Sequence, residues 1–403
     1  MMKIEVEDLA ILGGPKLFEI PKSTSNLTQP RFEQFLEYSR EFYNQRQYTN
    51  QGPLVQLLEK RLADFHQVEF CVTFCSGFWA LVLAISSLKI EGRDEIIMPS
   101  LTYRRMADIA AWAGLKPHFC EVEKDTLSPS ADSVRKCVSE HTSLILGVHP
   151  IVNLADIPGL INISEETGIP LLFDSVESTY ESSRFGKIGG FGRAECFSLH
   201  ASKLVNGFEG GYVTTNDKQL SHRLSALRNF GYTGASGYPI AGGMNAKLNE
   251  IHAAMALANL DKIHDQVEHN QQIYRAYREL LQSISGLRLV EFNETGQTSY
   301  KNILVEITKD WPLPRDDTVK IINSENILAR SYYSPPLHRK NIQYEYIPAT
   351  LELTDFLSER FILLPCGEHV VENDIVKIAG LFDFISKHGS TIYSSLVRAS
   401  GGK

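Results

Sequence analysis

The chain has 403 residues, with 40 lysines and arginines against 48 aspartates and glutamates for a net charge of −8, and 43% of its residues are hydrophobic. An acidic chain without a run of basic residues is poorly suited to neutralising phosphates, so no nucleic-acid partner is expected. The longest uninterrupted apolar run, Phe78 to Ile85, is far shorter than the roughly 20 residues of a membrane span, so no membrane partner is expected.

The first predicted element is an amphipathic helix whose apolar face is marked by Leu54, Leu57, Leu58 and Leu62. From there to about residue 215, strand-like and helix-like segments alternate. The predicted strands cover 70–74, 95–98, 117–122, 143–148 and 170–174, and the predicted helices cover 78–88, 104–113, 132–138 and 157–167. This alternation indicates an α/β fold with a mostly parallel sheet between helices, in which ligands bind at the carboxyl ends of the strands.

The pattern changes after residue 214. Long helical stretches are predicted at 218–228 and 250–283, and a more polar, proline-containing α+β region follows. We therefore expect two domains, a large one over residues 1–250 that includes the N-terminal segment and a small C-terminal one over 251–403.

Cysteine and histidine usage predicts no metal site. The six cysteines lie among apolar neighbours without a Cys-x-x-Cys pair, which is typical of small core residues in a reducing compartment, and no His-Glu-x-x-His motif is present. Glu5, Glu7 and Asp8 lie where a secretory signal would be basic and then apolar, so a cytoplasmic location is expected.

Three segments of the α/β region contain candidate catalytic or binding residues. Lys203 lies in the segment FSLHASKLVNGFEGG, whose small and apolar residues would favour the neutral amine needed to form an imine, although a lone lysine is usually a surface charge. Asp174 ends an apolar strand and so points from the sheet edge, unless it only caps a turn. Ser76-Gly77-Phe78 begins a helix whose N–H groups could bind an anion, although the serine also suits an ordinary helix cap.

Eight segments follow one another in a specific order. They are TNQGPLVQLLEKRLADF (49–65), CSGFWAL (75–81), DEIIMPSLTY (94–103), FDSVES (173–178), FSLHASKLVNGFEGG (197–211), RNFGYTG (228–234), NAKLNEIHAAMALANL (245–260) and SPPLH (334–338). This ordered set resembles the DegT/DnrJ/StrS family of sugar aminotransferases, and among them the subgroup that acts on dTDP-linked 4-keto-6-deoxyhexoses. The resemblance implies a pyridoxal 5'-phosphate (PLP) enzyme with the aspartate aminotransferase fold of type I.

The resemblance also implies the roles of the catalytic residues. Lys203 would form the imine with PLP and, once released, would move a proton beside the substrate carbon. Asp174 would pair with the pyridinium nitrogen and keep it protonated, which makes the ring an electron sink. Tyr103 matches the position that stacks on the PLP ring, although an aromatic residue just before a helix is more often part of the core.

The phosphate of PLP would be bound mainly by uncharged groups of the protein. By resemblance, its ligands are the backbone of Gly77 and Phe78, the Ser198 hydroxyl and the side chain of Asn245 of the partner subunit. That last assignment implies a homodimer.

The sequence departs from the family at three positions. Phe78 replaces a threonine, Val152 replaces a glycine, and Glu177 replaces a glutamine or histidine expected to touch the 3-hydroxyl of PLP. A carboxyl group donates a hydrogen bond only when it is protonated, a state that the sequence leaves open; as a carboxylate, Glu177 is expected to disfavour the phenolate form of the cofactor and to alter its chemistry.

Three residues are candidates for substrate binding. Lys247 matches a position that is often arginine and could contact an anion, Arg330 lies in a segment like that of the dTDP-sugar subgroup, and His338 matches a position near the sugar nucleotide. A surface lysine and a loop histidine are the ordinary alternatives.

The resemblance therefore implies an aminotransferase that transfers an amino group from glutamate to a keto sugar, a nucleotide-linked 4-keto-6-deoxyhexose. Two alternatives stay open. One is a PLP enzyme with a different acceptor or chemistry, such as amination of a cyclitol or dehydration. The other is a protein that binds PLP without turnover.

Overall fold

A computed structural model describes residues 3–25, 27–234 and 237–400. The strands are β1 (Lys22–Ser23), β2 (Phe70–Phe74), β3 (Glu95–Pro99), β4 (Lys116–Cys120), β5 (Thr142–Val148), β6 (Leu171–Asp174), β7 (Ser182–Ser183), β8 (Gly186–Lys187), β9 (Ala194–Ser198), β10 (Gly211–Thr215), β11 (Leu287–Leu289), β12 (Ile303–Ile307), β13 (Ile327–Leu328), β14 (Arg330–Ser331) and β15 (Phe361–Leu364). The α-helices are α1 (Phe32–Gln45), α2 (Pro53–His66), α3 (Gly77–Leu88), α4 (Met106–Trp112), α5 (Ala131–Cys137), α6 (Ile157–Thr167), α7 (Lys218–Leu227), α8 (Glu250–Leu260), α9 (Ile263–Leu281), α10 (Arg315–Ser324), α11 (Glu352–Ser358) and α12 (Glu372–Ser400).

The central sheet has seven strands in the order β2-β10-β9-β6-β5-β3-β4. Only β10 runs antiparallel to its neighbours, β2 and β9, and the other neighbouring pairs are parallel. All residues of β5, β6 and β9 are buried, as expected of strands covered on both faces. The predicted α/β class with a mostly parallel sheet is confirmed, and its carboxyl edge positions the candidate site.

Two details of the predicted helices are wrong. On α2, Leu54, Leu58 and Leu62 are fully buried but Leu57 is 36% exposed, because it lies to one side of the stripe that the other three form. The single helix predicted over 250–283 is two helices, α8 and α9, which are separated at residues 261–262. The break lies where the packing partners change, since α8 packs against α1 and α2 whereas α9 packs against α12 and β11.

A second sheet is antiparallel, in the order β11-β12-β15-β14, and its core continues onto α9, α10 and α12. The N-terminal segment joins this core: Leu9 and Leu17 are buried in it, and β1 pairs in parallel with β13. Glu325 fixes the segment, since its carboxylate accepts the backbone N–H of Ala10 and of Leu17, each at 2.8 Å. The division of the chain near residue 250 stays a prediction.

The cysteines are free thiols, and five of the six are buried. Burial raises the pKa of each, which keeps the thiols protonated and unreactive. Within the described ranges, no helix is both long enough and apolar enough to cross a membrane.

Candidate active site

The predicted catalytic residues lie at the carboxyl edge of the central sheet. Asp174 is the last residue of β6 and Ser198 is the last residue of β9. Lys203 lies in the loop between β9 and β10, where its backbone N–H donates to the carbonyl of His200 at 2.8 Å. Gly211, the first residue of β10, pairs with Ser198, so both ends of this loop meet at the same edge.

The Asp174 carboxyl group is 2% exposed and has few partners. Its Oδ1 accepts one hydrogen bond, from the backbone N–H of Val176 at 3.2 Å, and no described residue forms an ion pair with it. Burial raises the pKa of Asp174 to about 7, although the bond from Val176 and the charge of Lys203 act in the opposite direction. A buried carboxyl group with so few partners is well suited to a positively charged ligand group.

Glu177 lies between two lysines. Its Oε1 accepts a hydrogen bond from Nζ of Lys203, and its Oε2 accepts one from Nζ of Lys301 at 2.6 Å. Burial acts to raise the pKa of Glu177, but the two ammonium charges outweigh it and lower the pKa to about 2. Glu177 is therefore an ionised acceptor in this arrangement.

Lys301 is a site residue that the sequence reasoning missed. Its side chain is 6% exposed, and burial lowers its pKa, whereas the carboxylate of Glu177 opposes that shift. It follows Tyr300, which has a left-handed backbone with φ of 49°, and precedes the buried strand β12 by two residues. The only signal in the sequence is a lysine close to the apolar start of a strand, and the separation of 124 positions between Glu177 and Lys301 concealed their contact.

The beginning of α3 forms a small cradle with the ends of β9 and β10. Ser76 caps the helix by accepting the N–H of Trp79 at 3.3 Å, and the N–H groups of Gly77 and Phe78, in the first turn, have no partner within the helix. A Cβ at Gly77 would lie 3.1 Å from Cβ of Ser198, and a Cβ at Gly211 would lie 2.5 Å from Cα of Gly77. Gly211 is needed for this close approach, whereas a Cβ at Gly77 would make a tight contact with the Ser198 side chain.

Aromatic side chains flank the edge. Tyr103 is 43% exposed, and its carbonyl accepts the N–H of Met106 at 2.9 Å as α4 begins. Tyr332 and Tyr333, which the sequence reasoning missed, follow β14 with ring centroids 4.3 Å apart. Burial raises the pKa of Tyr333 well above its usual value, and the charges of Tyr332, Glu177 and Asp174 add to this rise, which places Tyr333 near the carboxylates.

Asn245 and Lys247 flank the buried Ala246 in a segment that runs past the start of α3. The carbonyl of Ala246, between them, accepts the N–H of Cys75 at 2.8 Å. Asn245 is exposed, whereas Nζ of Lys247 donates to Oδ1 of Asn229 at 3.2 Å and lies 4.3 Å from the ring centroid of Phe230. The structure thus places both residues beside the cradle without a contact between either side chain and Lys203.

Arg330 and His338 lie in different surroundings. Arg330 is exposed on β14, opposite Leu363. The His338 side chain is 1% exposed: its Nδ1 is 2.7 Å from Oγ of Ser100, and its Nε2 is 3.1 Å from Oδ1 of Asp355. Both ring nitrogens of His338 therefore face protein groups, which joins this loop to the end of β3.

A buried layer supports Asp174 from behind. The ring of His149 stacks on Phe173 with a centroid distance of 5.0 Å, and its Nδ1 accepts the N–H of Ala155 at 3.1 Å. Burial lowers the pKa of His149 to about 3, so the ring is neutral. The N–H of His149 also donates to the carbonyl of Asp174 at 3.1 Å, which fixes the backbone from which the carboxyl group projects.

Comparisons with known proteins match most of the chain. A sequence profile of the DegT/DnrJ/EryC1/StrS aminotransferase family matches residues 31–382. The chain is 30% identical over 308 residues to the dTDP-4-amino-4,6-dideoxy-D-glucose transaminase of Shigella dysenteriae, which covers 76% of this chain and 83% of that one. It is 32% identical over 218 residues, 51% of each chain, to the L-glutamine:2-deoxy-scyllo-inosose aminotransferase of Streptomyces fradiae. The crystal structure of DesI with its TDP-sugar product matches with a TM-score of 0.91 and 31% identity, over 97% of this chain and 99% of that one.

Proposed function

The chain belongs to the DegT/DnrJ/EryC1/StrS aminotransferase family, and from this premise we propose that it aminates the keto carbon of a nucleotide-linked 4-keto-6-deoxyhexose with glutamate as the donor. It is a PLP-dependent sugar aminotransferase with the type I fold. The choice of substrate rests on the near full-length match to DesI, whose structure was determined in the presence of its TDP-sugar product. The Shigella relative, named for a 4-amino-4,6-dideoxyglucose, supports the same acceptor class.

PLP fits the carboxyl edge at three places. The free N–H groups of Gly77 and Phe78 and the hydroxyl of Ser198 form an anion cradle in which a Cβ would collide. Asp174 is a buried carboxyl group without a cation, which suits a protonated ring nitrogen. Lys203 supplies the amine for covalent attachment. When bound, PLP supplies an electron sink for the carbon that loses its proton.

Each residue of the edge has a defined task in this proposal. Asp174 holds a proton on the ring nitrogen, and the positive charge there restores the ionised state that burial disfavours. Lys203 would move a proton between the two carbons that flank the transferred nitrogen, because its amine is free once the substrate amine has replaced it. Tyr103 stacks on the ring face. Glu177 accepts a hydrogen bond from the Lys203 ammonium and so determines where it rests.

Asn245 of the partner subunit is proposed to complete the phosphate site, which makes the active protein a homodimer. The exposure of Asn245 in a single chain supports this assignment. A cytoplasmic location and a division into domains at residue 250 belong to the same proposal.

The nucleotide-linked substrate carries negative charge, and the acidic chain needs local cations to bind it. Lys247 and Arg330 are proposed to supply them. His338 is proposed to shape the sugar site through the loop that it joins to Ser100, since both of its ring nitrogens face protein groups.

The test combines cofactor trapping with product analysis. Purified protein with PLP should become yellow, and borohydride should fix the cofactor to the peptide that contains Lys203. With glutamate and a panel of dTDP-, UDP- and GDP-linked keto sugars, mass spectrometry should detect nitrogen transfer to a dTDP-linked 4-keto-6-deoxyhexose. A protein that does not bind PLP, or that transfers nitrogen to none of the panel, would contradict the proposal.

A second candidate is amination of a cyclitol ketone, favoured by the similarity to the Streptomyces enzyme over half of the chain. The same assay with 2-deoxy-scyllo-inosose, and with glutamine in place of glutamate, separates the two. Loss of water without nitrogen transfer would indicate dehydration. Failure of every amino donor to convert the bound cofactor would indicate PLP binding without turnover.

A further inference from the structure

Two lysines share one carboxylate at the carboxyl edge of the central sheet. Lys203 contacts Oε1 of Glu177 and Lys301 contacts Oε2, so each cation occupies a different oxygen atom. The side chains are 16%, 12% and 6% exposed for Lys203, Glu177 and Lys301, so water screens none of them well. The trio carries two positive charges for one negative charge.

This charge balance affects the imine-forming lysine. In an isolated buried pair, a lysine that loses its proton leaves its carboxylate without compensation, and such an unpaired charge is strongly unfavourable. A second ammonium on the other oxygen supplies that compensation. The positive charge of this second ammonium group also disfavours the protonated form of the first lysine, in the way that a neighbouring cation activates a lysine nucleophile.

The structure holds Lys301 firmly in place. Tyr300, just before it, has the left-handed backbone that non-glycine residues rarely adopt, and such strain is concentrated at functional positions. Asn302, just after it, donates to the carbonyl of Ile151 at 3.1 Å and lies 3.5 Å from Oε2 of Glu177. The ammonium of Lys301 therefore approaches the carboxylate from a fixed backbone.

We propose that Lys301 is a positioning residue that holds the Glu177 carboxylate in an ionised, shared state, so that Lys203 can release its proton and act as a nucleophile. The inference rests on the proposed role of Lys203 and adds a residue to it. Without Lys301, the Glu177 carboxylate would hold Lys203 in its protonated form. Lys301 thereby explains how the site can use a carboxylate at position 177.

The remaining titratable groups around the trio do not differ between the variants used to test it. They are Asp174, Tyr332, Tyr333 and Cys366. Burial raises the pKa of the two tyrosines and of the thiol, so these three stay neutral near pH 8.

The test measures the Lys203 amine in protein freed of cofactor. Reductive methylation with formaldehyde and cyanoborohydride between pH 6 and 10 is quantified at the Lys203 peptide by mass spectrometry, with the exposed Lys60 as internal reference. We expect Lys301→Met to reduce methylation of Lys203 at pH 8 by about tenfold or more, which corresponds to a shift of one pH unit, and Lys301→Arg to resemble the parent. Equal profiles for the parent and Lys301→Met would overturn the proposal.

The double variant Glu177→Gln/Lys301→Met distinguishes charge sharing from a purely structural ion pair. It removes both charges, so Lys203 methylation should return to within about threefold of the parent. A double variant at least tenfold less reactive than the parent would overturn the proposal, and this comparison with the parent does not need Lys301→Met to fold. Because the assay contains no PLP, a failure of the proposed function would appear separately, as absent cofactor trapping with an unchanged methylation profile.

Discussion

Two regions of the molecule bury a carboxyl group in opposite ways. Glu325, beneath the N-terminal segment, is fully buried and accepts two backbone N–H groups, and Lys3 contacts it at 2.8 Å. Asp174, at the carboxyl edge, is 2% exposed and accepts one N–H group. The Glu325 carboxylate has its partners within the chain. The Asp174 carboxyl group has no cation paired with it among the described residues, and a ligand can supply one. The number of partners, more than burial, distinguishes a residue that holds the fold from one that is available for chemistry.

The largest expected effect is at the active edge. Lys203→Ala should lower the transamination rate by about 1,000-fold or more and abolish borohydride trapping, because both the imine and the proton transfer need this amine. Its thermal midpoint should stay close to that of the parent, since Lys301 still pairs with Glu177. Lys60→Ala, at an exposed position, is the matched control, and retained turnover in Lys203→Ala would exclude the assigned role.

At the structural carboxylate, Glu325→Gln should lower the free energy of unfolding by about 3 kcal/mol, because the buried ammonium of Lys3 loses its counter-charge. Urea titration followed by circular dichroism measures this change. The kcat of the folded fraction should be that of the parent. If Glu325→Gln lost activity without losing stability, the contrast between the two carboxylates would fail.

Asp174→Asn should show the reverse pattern, with kcat about 100-fold lower and little loss of stability. The amide keeps the shape and can still accept the bond from Val176, but it cannot hold a proton on the ring nitrogen. Steady-state kinetics beside urea titration gives both quantities. Loss of stability comparable to that of Glu325→Gln would show that Asp174 also holds the fold.

The pH dependence of stability should sharpen the same contrast. Because burial raises the pKa of Asp174 from 3.8 to about 7, the folded cofactor-free chain binds this proton more tightly than the unfolded chain does. Stability from this group is therefore present below pH 4 and lost as the pH rises towards 7. Relative to the parent, Asp174→Asn should gain thermal midpoint between pH 5 and pH 8, on the order of 2 °C or more. Scanning calorimetry measures the difference, and parallel pH curves would contradict the assignment.

The smallest effect is expected in the phosphate cradle. Phe78→Thr should change the affinity for PLP by less than about tenfold, because the cradle depends on backbone N–H groups that the substitution leaves in place. Equilibrium dialysis with PLP measures it, with Phe78→Ala as the control for the lost ring. A larger loss would mean that the aromatic side chain itself contributes to binding.

The sequence predicted the regular part of the fold well. Strand β2 and helix α6 have the predicted bounds, and the other predicted elements of the central sheet differ by one or two residues, because period and turn residues are local properties. The break between α8 and α9 was missed since residues 261–262 contain no glycine or proline, and it coincides with a change of packing partners that depends on distant segments of the chain.

The candidate site also contains residues that local sequence predicts and residues that it does not. Asp174 and Lys203 were predicted because each lies in a local motif, and the structure brings them to one edge. Lys301 and Tyr333 could not be predicted, since their relation to Glu177 depends on how distant segments of the chain pack together. The ionised state of Glu177 was equally out of reach, because it depends on Lys301. The roles of these residues stay predictions.

The anchoring of the N-terminal segment has a consequence for synthesis. Leu17 is bonded to a residue 308 positions later in the chain, so it reaches its final packing only after that later residue has been made. At about 5–20 residues per second, these apolar residues wait roughly 15–60 s on the ribosome before Glu325 emerges. During that interval, Leu9 and Leu17 are open to chaperones or to a neighbouring nascent chain, and this segment completes its packing only after Glu325 has emerged.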